Sequence, residues 1–144
     1  MRAESQLATL VLPQSLAEEL DKAARQPIET AGVMFASVVR LETGSVRVLG
    51  RGIRWIDEAY YVRRGVDHMT IASEGYVRYL GEAEKLGAIA IWVHTHPGEA
   101  SWPTASKWDD EVDRQIADLF RLRSGSDYYS MLIVSPRERH FTFA

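Results

Sequence analysis

The order of hydrophobic and polar positions along the chain predicts a mixed α/β protein. Runs rich in apolar and β-branched residues predict six strands, at residues 7–12, 31–41, 45–56, 88–93, 128–135 and 139–143. Helices are predicted at residues 15–24, 71–86 and 104–122, the last two from apolar residues that recur every three or four positions. We therefore expect a central sheet with helices packed against it.

Particular residues mark the ends of these elements. Ser15 and Glu18 have the spacing of a capping box, in which each side chain bonds an exposed N–H group at the start of a helix. Gly87 is expected to end the second helix, and residues 42–44 to form a hairpin turn. Residues 57–67 show no periodicity and are predicted to be irregular.

Length and composition limit the class of protein. The chain has 144 residues, which is the size of one domain spanning residues 1–144. A net charge of −3 argues against nucleic acid or an anionic membrane as the partner. No apolar run approaches the roughly 20 residues of a membrane span, and the first residues lack a signal-peptide core, so a cytoplasmic protein is expected.

The chain has four histidines and no cysteine. Disulfides, a thiol nucleophile and cysteine-based metal sites are therefore excluded, and with them the zinc nucleoside deaminases, which need a cysteine pair. Any metal ion must be held by histidines and carboxylates. His68 and His140 are interpreted as structural or solvent-facing residues without a role in the function.

His94 and His96 follow the continuous apolar run at residues 88–93, which predicts a strand covered on both faces. Side chains two residues apart on a strand point to the same side, so both imidazoles can reach one ion just past the end of this strand. An open zinc site needs a third protein ligand. The candidates on the helix predicted from residue 104 are Asp109, Asp110 and Asp113.

Ser106 lies three residues before Asp109, so its hydroxyl and that carboxylate share one face of the first helical turn. The positive end of the helix dipole also favours a carboxylate there. The same residues have a purely structural interpretation, in which the acids offset the dipole and Ser106 caps the helix. Glu29, taken alone, is interpreted as an ordinary surface acid. The residues by themselves leave both interpretations open.

Two segments nevertheless carry a family resemblance: His94-Thr95-His96-Pro97 and Ser106-Lys107-Trp108-Asp109. Together they resemble the signature of the JAMM, or MPN-plus, zinc metalloproteases. That family also has a catalytic glutamate upstream, ahead of a small residue and a glycine that open a strand, and Glu29 stands before Ala31 and Gly32 in a similar way. The loop at residues 98–105 is longer than the family commonly has.

The resemblance implies a single-domain MPN/JAB fold, which is cytidine-deaminase-like, and a bound Zn²⁺. It implies that His94, His96 and Asp109 bind the zinc, with Asp109 preferred to Asp110 by the spacing of the family motif. Glu29 would move a proton from the zinc-bound water to the leaving amine, and Ser106 would donate a hydrogen bond to the oxyanion.

The activity implied is that of a zinc isopeptidase or peptidase that cleaves after the C-terminal tail of a ubiquitin-like protein or its conjugate. Eukaryotic deubiquitinating members carry two extra segments, for which residues 57–67 and 123–127 leave little space, so the chain resembles the minimal prokaryotic type. One alternative is a peptidase that trims a small product, such as an amino acid, from a ubiquitin-like sulfur carrier. Another is a non-catalytic MPN scaffold. The oligomeric state is not predicted.

Overall fold

A six-stranded mixed sheet organises the part of the chain that the computed structural model describes, which is residues 8–65, 69–97, 116, 120 and 130–143. The strands of this sheet are β1 (Ala8–Val11), β2 (Ala31–Arg40), β3 (Val46–Trp55), β6 (Ile89–Thr95), β7 (Ser130–Val134) and β8 (Arg139–Phe143). A separate two-stranded sheet consists of β4 (Tyr61–Arg64) and β5 (Met69–Ile71). The two helices described in full are α1 (Gln14–Ala24) and α2 (Val77–Leu86). The predicted mixed α/β class is confirmed.

The strand order of the large sheet is β1-β3-β2-β6-β7-β8. β1 pairs with β3 in parallel, as β6 does with β7, and the other neighbours are antiparallel. β2 and β6 are therefore the central strands. Because they run in opposite directions, the beginning of β2 and the end of β6 lie at the same edge of the sheet.

Each face of the large sheet has its own hydrophobic core. On one face, Trp92 of β6 packs with Leu80 of α2, and on the other, Ile91 of β6 packs with Leu20 of α1. All seven residues of β6 are buried, because apolar side chains cover both faces of this strand. The predicted two-sided burial is thus confirmed, although the strand continues two residues beyond position 93.

The start of α1 differs from the prediction. The helix begins at Gln14, and Pro13 is the capping residue, with φ −60° and ψ 150° and no side-chain hydrogen bond. The carbonyl of Pro13 accepts the first helical bond from the Ala17 amide at 3.0 Å. The predicted capping box is wrong, because the capping residue is Pro13, two residues before Ser15, and Ser15 lies inside the first turn of the helix.

The segment between β3 and α2 is more regular than predicted. It contains a 3₁₀ turn at Glu58–Tyr60 and the strand β4, where an irregular segment was expected. The expected helix from residue 71 begins only at Val77, because residues 69–71 pair with β4 and a second 3₁₀ turn, Ser73–Gly75, follows. Pairing with the preceding strand, β4, overrides the local helical pattern at residue 71.

Two further predicted boundaries agree with the structure. The hairpin between β2 and β3 turns at Gly44, where φ is +90°, and α2 ends at Gly87, where φ is +65°. Both angles lie in the left-handed region that favours glycine. Of the predicted helix 104–122, the structure describes Ile116 and Phe120, which are helical and buried. No helix among the described residues is long and apolar enough to span a membrane.

Candidate metal centre

The two histidines of the sequence motif lie at the end of β6. His94 is still within the strand and His96 follows it, so the expectation that both would lie past the strand end is corrected for His94. Alternation along the extended chain puts both rings on one side, with their centroids 5.1 Å apart. The His96 amide donates to the Val134 carbonyl at 2.8 Å, which holds the motif against β7.

Glu29 reaches the same place from the beginning of β2. Ala31 pairs with His94 in the antiparallel ladder, and continuing this register by two residues puts Glu29 opposite His96. Thr30 and Thr95 form the pair that lies between the Ala31–His94 pair and the Glu29–His96 pair. The Thr30 amide donates to the Thr95 hydroxyl at 2.9 Å, and the Thr95 amide donates to the Thr30 carbonyl at 2.9 Å.

The side chains of Glu29, His94 and His96 form a compact group of potential ligands. One ligand atom from each lies within 4.8 Å of the others, and His94 Nδ1 is 3.9 Å from Glu29 Oε1. Glu29 is 3% exposed and His94 is 2% exposed, while His96 is partly buried. Buried ionisable groups are normally paired or coordinated to a metal, and imidazole and carboxylate are ligands for zinc and other divalent metals. This group can therefore bind a metal ion.

The main chain that carries Glu29 is held by β4 and by Gly65, the residue that follows it. The Glu29 amide donates to the Gly65 carbonyl at 2.7 Å, and Arg64 Nε donates to the Glu29 carbonyl at 2.8 Å. The Tyr61 hydroxyl accepts from the Ala31 amide at 2.9 Å and donates to the Ala31 carbonyl at 3.5 Å. With the two bonds of Thr30, every main-chain N–H and C=O group from Glu29 to Ala31 has a partner, so the carboxylate projects from a fixed backbone.

The Tyr61 phenol makes both of its bonds in the protonated form. Burial raises the pKa of Tyr61 above its ordinary value, against the smaller opposing effects of the Ala31 hydrogen bond and the Arg64 charge. A neutral phenol at physiological pH can donate and accept at the same time.

Three of the five predicted site residues, Glu29, His94 and His96, are brought together by the structure. The other two, Ser106 and Asp109, lie outside the described residues, as do Asp110, Asp113 and His68. His140 is exposed on β8.

The sequence patterns did not reveal Tyr61 or Arg64 as neighbours of the site. The β-favouring residues at positions 60–62 are a signal for a strand in this segment. That strand's contact with Glu29 is tertiary and has no local signal.

The fold and site together define a mixed α/β protein with a candidate metal centre of one carboxylate and two imidazoles at the edge of its main sheet. Its fold is similar to the solution structure of protein DSY2949 from Desulfitobacterium hafniense, determined by a structural genomics consortium. The two sequences are 18% identical, the match covers 94% of this chain and 82% of that chain, and the TM-score is 0.55. At this identity the likeness concerns the fold alone. No family model and no curated protein matches the sequence.

Proposed function

We propose that this chain is a zinc-dependent peptidase or isopeptidase with the MPN/JAB fold, acting after the C-terminal tail of a ubiquitin-like protein. The observation that carries the proposal is the buried Glu29 carboxylate beside the His94 and His96 imidazoles. These residues come from two distant segments: the two histidines belong to the JAMM-like His94–Pro97 motif, and Glu29 stands in the place of the family's upstream glutamate. A glutamate interpreted from its local sequence as a surface acid is thus buried against the histidine pair.

The donor set fits zinc. The imidazoles of His94 and His96 with one carboxylate, from Asp109 or from Glu29, make a common zinc-binding combination. When bound, zinc supplies Lewis acidity and lowers the pKa of a coordinated water to about 7. In the proposed mechanism, His94 and His96 hold the metal, and Glu29 accepts a proton from the attacking water and passes it to the leaving amine. Burial of Glu29 and His94 keeps bulk water from this proton path.

Two residues of the proposal rest on the family resemblance alone. Asp109 is proposed as the third zinc ligand and Ser106 as the oxyanion hydrogen-bond donor. If Asp109 is a ligand, Glu29 can act as the base. If Asp109 is not a ligand, the compact group of Glu29, His94 and His96 offers a different arrangement, in which Glu29 itself binds the metal.

Zinc content and peptide cleavage, measured in the same variants, test these assignments. Glu29→Gln should retain about one zinc per chain but lose activity by about 10²–10⁴-fold, because general acid–base catalysis contributes about that much. Asp109→Asn should lose zinc. The matched control, Asp110→Asn, should keep both zinc and activity. An active Glu29→Gln protein would exclude the proposed mechanism, and a zinc-free one would identify Glu29 as a ligand.

The substrate is tested with ubiquitin-like proteins encoded in the same genomic neighbourhood, each incubated with and without a chelator. Mass spectrometry of the protein before and after incubation identifies the group released. Loss of a single amino acid indicates the carrier-trimming activity, and loss of a conjugated protein indicates an isopeptidase. Protein purified without chelator that contains no zinc would instead support the scaffold.

A further inference from the structure

Arg64, at the end of β4, makes hydrogen bonds to Glu29, the proposed base, and to Thr30, which follows it in the chain. Its Nε donates to the Glu29 carbonyl at 2.8 Å, and its Nη2 donates to the Thr30 hydroxyl at 2.9 Å. Thr30 in turn pairs with Thr95, which lies between the two histidines. One guanidinium thus bridges β4 to the segment that aligns Glu29 with His94 and His96.

The orientation of this guanidinium is fixed on its other sides. Nη1 donates to the carboxylate of Glu58, and the guanidinium lies over the Tyr61 ring, 4.2 Å from its centroid. The Arg64 side chain is 16% exposed, whereas its acidic partner is 78% exposed. A planar group with several fixed donors can satisfy these contacts together, and a lysine ammonium, which is a point charge, cannot.

We infer that Arg64 is a positioning residue for Glu29. Its bonds to this segment go to the Glu29 carbonyl and the Thr30 hydroxyl, so it fixes the main chain from which the carboxylate projects toward the histidine pair. The inference rests on the proposed function, in which Glu29 transfers a proton. Misplacement of a catalytic group by about 1 Å can lower a rate about 10²-fold, so a small shift of residues 29 and 30 is sufficient for a measurable effect.

The test compares Arg64→Lys with Arg63→Lys, a change of the neighbouring exposed arginine on the same strand. In the zinc-loaded protein, Arg64→Lys should lower kcat about tenfold to a hundredfold with KM and zinc content nearly unchanged. Arg63→Lys should leave all three unchanged. A wild-type kcat in Arg64→Lys would overturn the inference. Loss of zinc in proportion to activity would also overturn it, because the defect would then be structural.

Hydrogen exchange in the metal-free protein supplies a readout that does not depend on activity. The Glu29 amide, which is bonded to Gly65, should exchange about tenfold faster in Arg64→Lys, while amides in the centre of β2 keep their wild-type rates. Unchanged exchange at Glu29 would overturn the inference. If Arg64→Lys does not fold, Thr30→Val replaces it with the same expected directions and the same overturning results. This change removes the hydroxyl that accepts from Arg64 at 2.9 Å and also donates to the Ile28 carbonyl at 3.4 Å.

The outcomes separate this inference from the proposed function. If the wild-type protein cleaves no substrate, the proposed function fails, and the exchange rates alone decide whether Arg64 holds the Glu29 segment. If the wild-type protein is active and Arg64→Lys is equally active, the proposed function remains and the positioning role is lost.

Discussion

The substitution Gly32→Ala tests how closely the strands are packed beside the candidate metal centre. Gly32 lies in β2 between its register partners, Trp55 of β3 and Val93 of β6. A Cβ atom added at this position would lie 2.9 Å from Trp55 Cε3 and 3.1 Å from the Arg54 carbonyl oxygen. The carbonyl belongs to the sheet backbone and cannot rotate away. The indole is held by a 3.1 Å hydrogen bond from its Nε1 to Glu19.

The added methyl group should therefore push β2 and β3 apart. Overpacking of this kind typically costs about 1–3 kcal/mol. For a chain of this length, that cost corresponds to a decrease in Tm of roughly 3–12 °C. Gly32 is three residues from Glu29, so the same displacement should move the carboxylate and lower the proposed peptidase activity by about tenfold or more.

Thermal unfolding followed by circular dichroism measures the change in Tm. Peptide cleavage by the zinc-loaded protein measures the change in activity. The matched control is Gly52→Ala, in β3, where an added Cβ meets no atom of the described residues within 4 Å. The control should be as stable as the wild type, or more stable by up to about 1 kcal/mol, because alanine restricts the unfolded chain. Equal melting temperatures for Gly32→Ala and the wild type would refute the close-packing argument.

Three further outcomes are expected. Chelation should lower the Tm of the wild type, and zinc at about 100 times its Kd should restore about 2.7 kcal/mol of stability; a Tm unaffected by chelator would contradict a metal centre. Trp92 is 3% exposed and makes edge-to-face contacts with Tyr76 at 5.6 Å and Phe120 at 6.0 Å between ring centroids. Trp92→Ala should cost about 3–5 kcal/mol in urea unfolding, whereas Val62→Ala, at a side chain 66% exposed, should change stability by less than about 0.5 kcal/mol. Burial, and to a lesser extent the Glu74 charge, raises the pKa of Tyr76 above its ordinary value of 10. The protonated phenol therefore contributes stability that is present below about pH 10 and is lost as pH rises through the folded-state pKa. Stability measured from pH 8 to 11.5 should fall less steeply in Tyr76→Phe, and parallel curves would contradict the assigned shift.

Several elements of the fold could be predicted because their signals are local. The apolar run at residues 88–93 indicated a strand buried on both faces, and β6 is fully buried. Gly87 indicated a helix end, and it adopts the left-handed conformation that such an end requires. Alternation along a strand depends only on backbone geometry, so the shared side of His94 and His96 also followed from their spacing.

The pairing of β4 with β5 could not be predicted in this way. The predicted helix started at Ile71, but this residue belongs to the strand Met69–Ile71, which pairs with residues 61–64. The capping-box prediction failed for a related reason, since Pro13 competed for the helix start. In both places two local conformations were accessible to the chain, and contacts beyond the pattern selected one of them.

The candidate site also combines features that the local sequence predicts with features that only tertiary contacts decide. Spacing put the two histidines on one side of a strand, and a family resemblance suggested Glu29, which in isolation is a typical surface acid. The register of Ala31 with His94 brings that carboxylate to the imidazoles, and the contacts of Tyr61 and Arg64 hold it there. Hydrophobic periodicity describes which face of an element is buried. The alignment of two strands distant in sequence depends on packing and hydrogen bonding across the whole sheet, so it emerges only when the chain is folded.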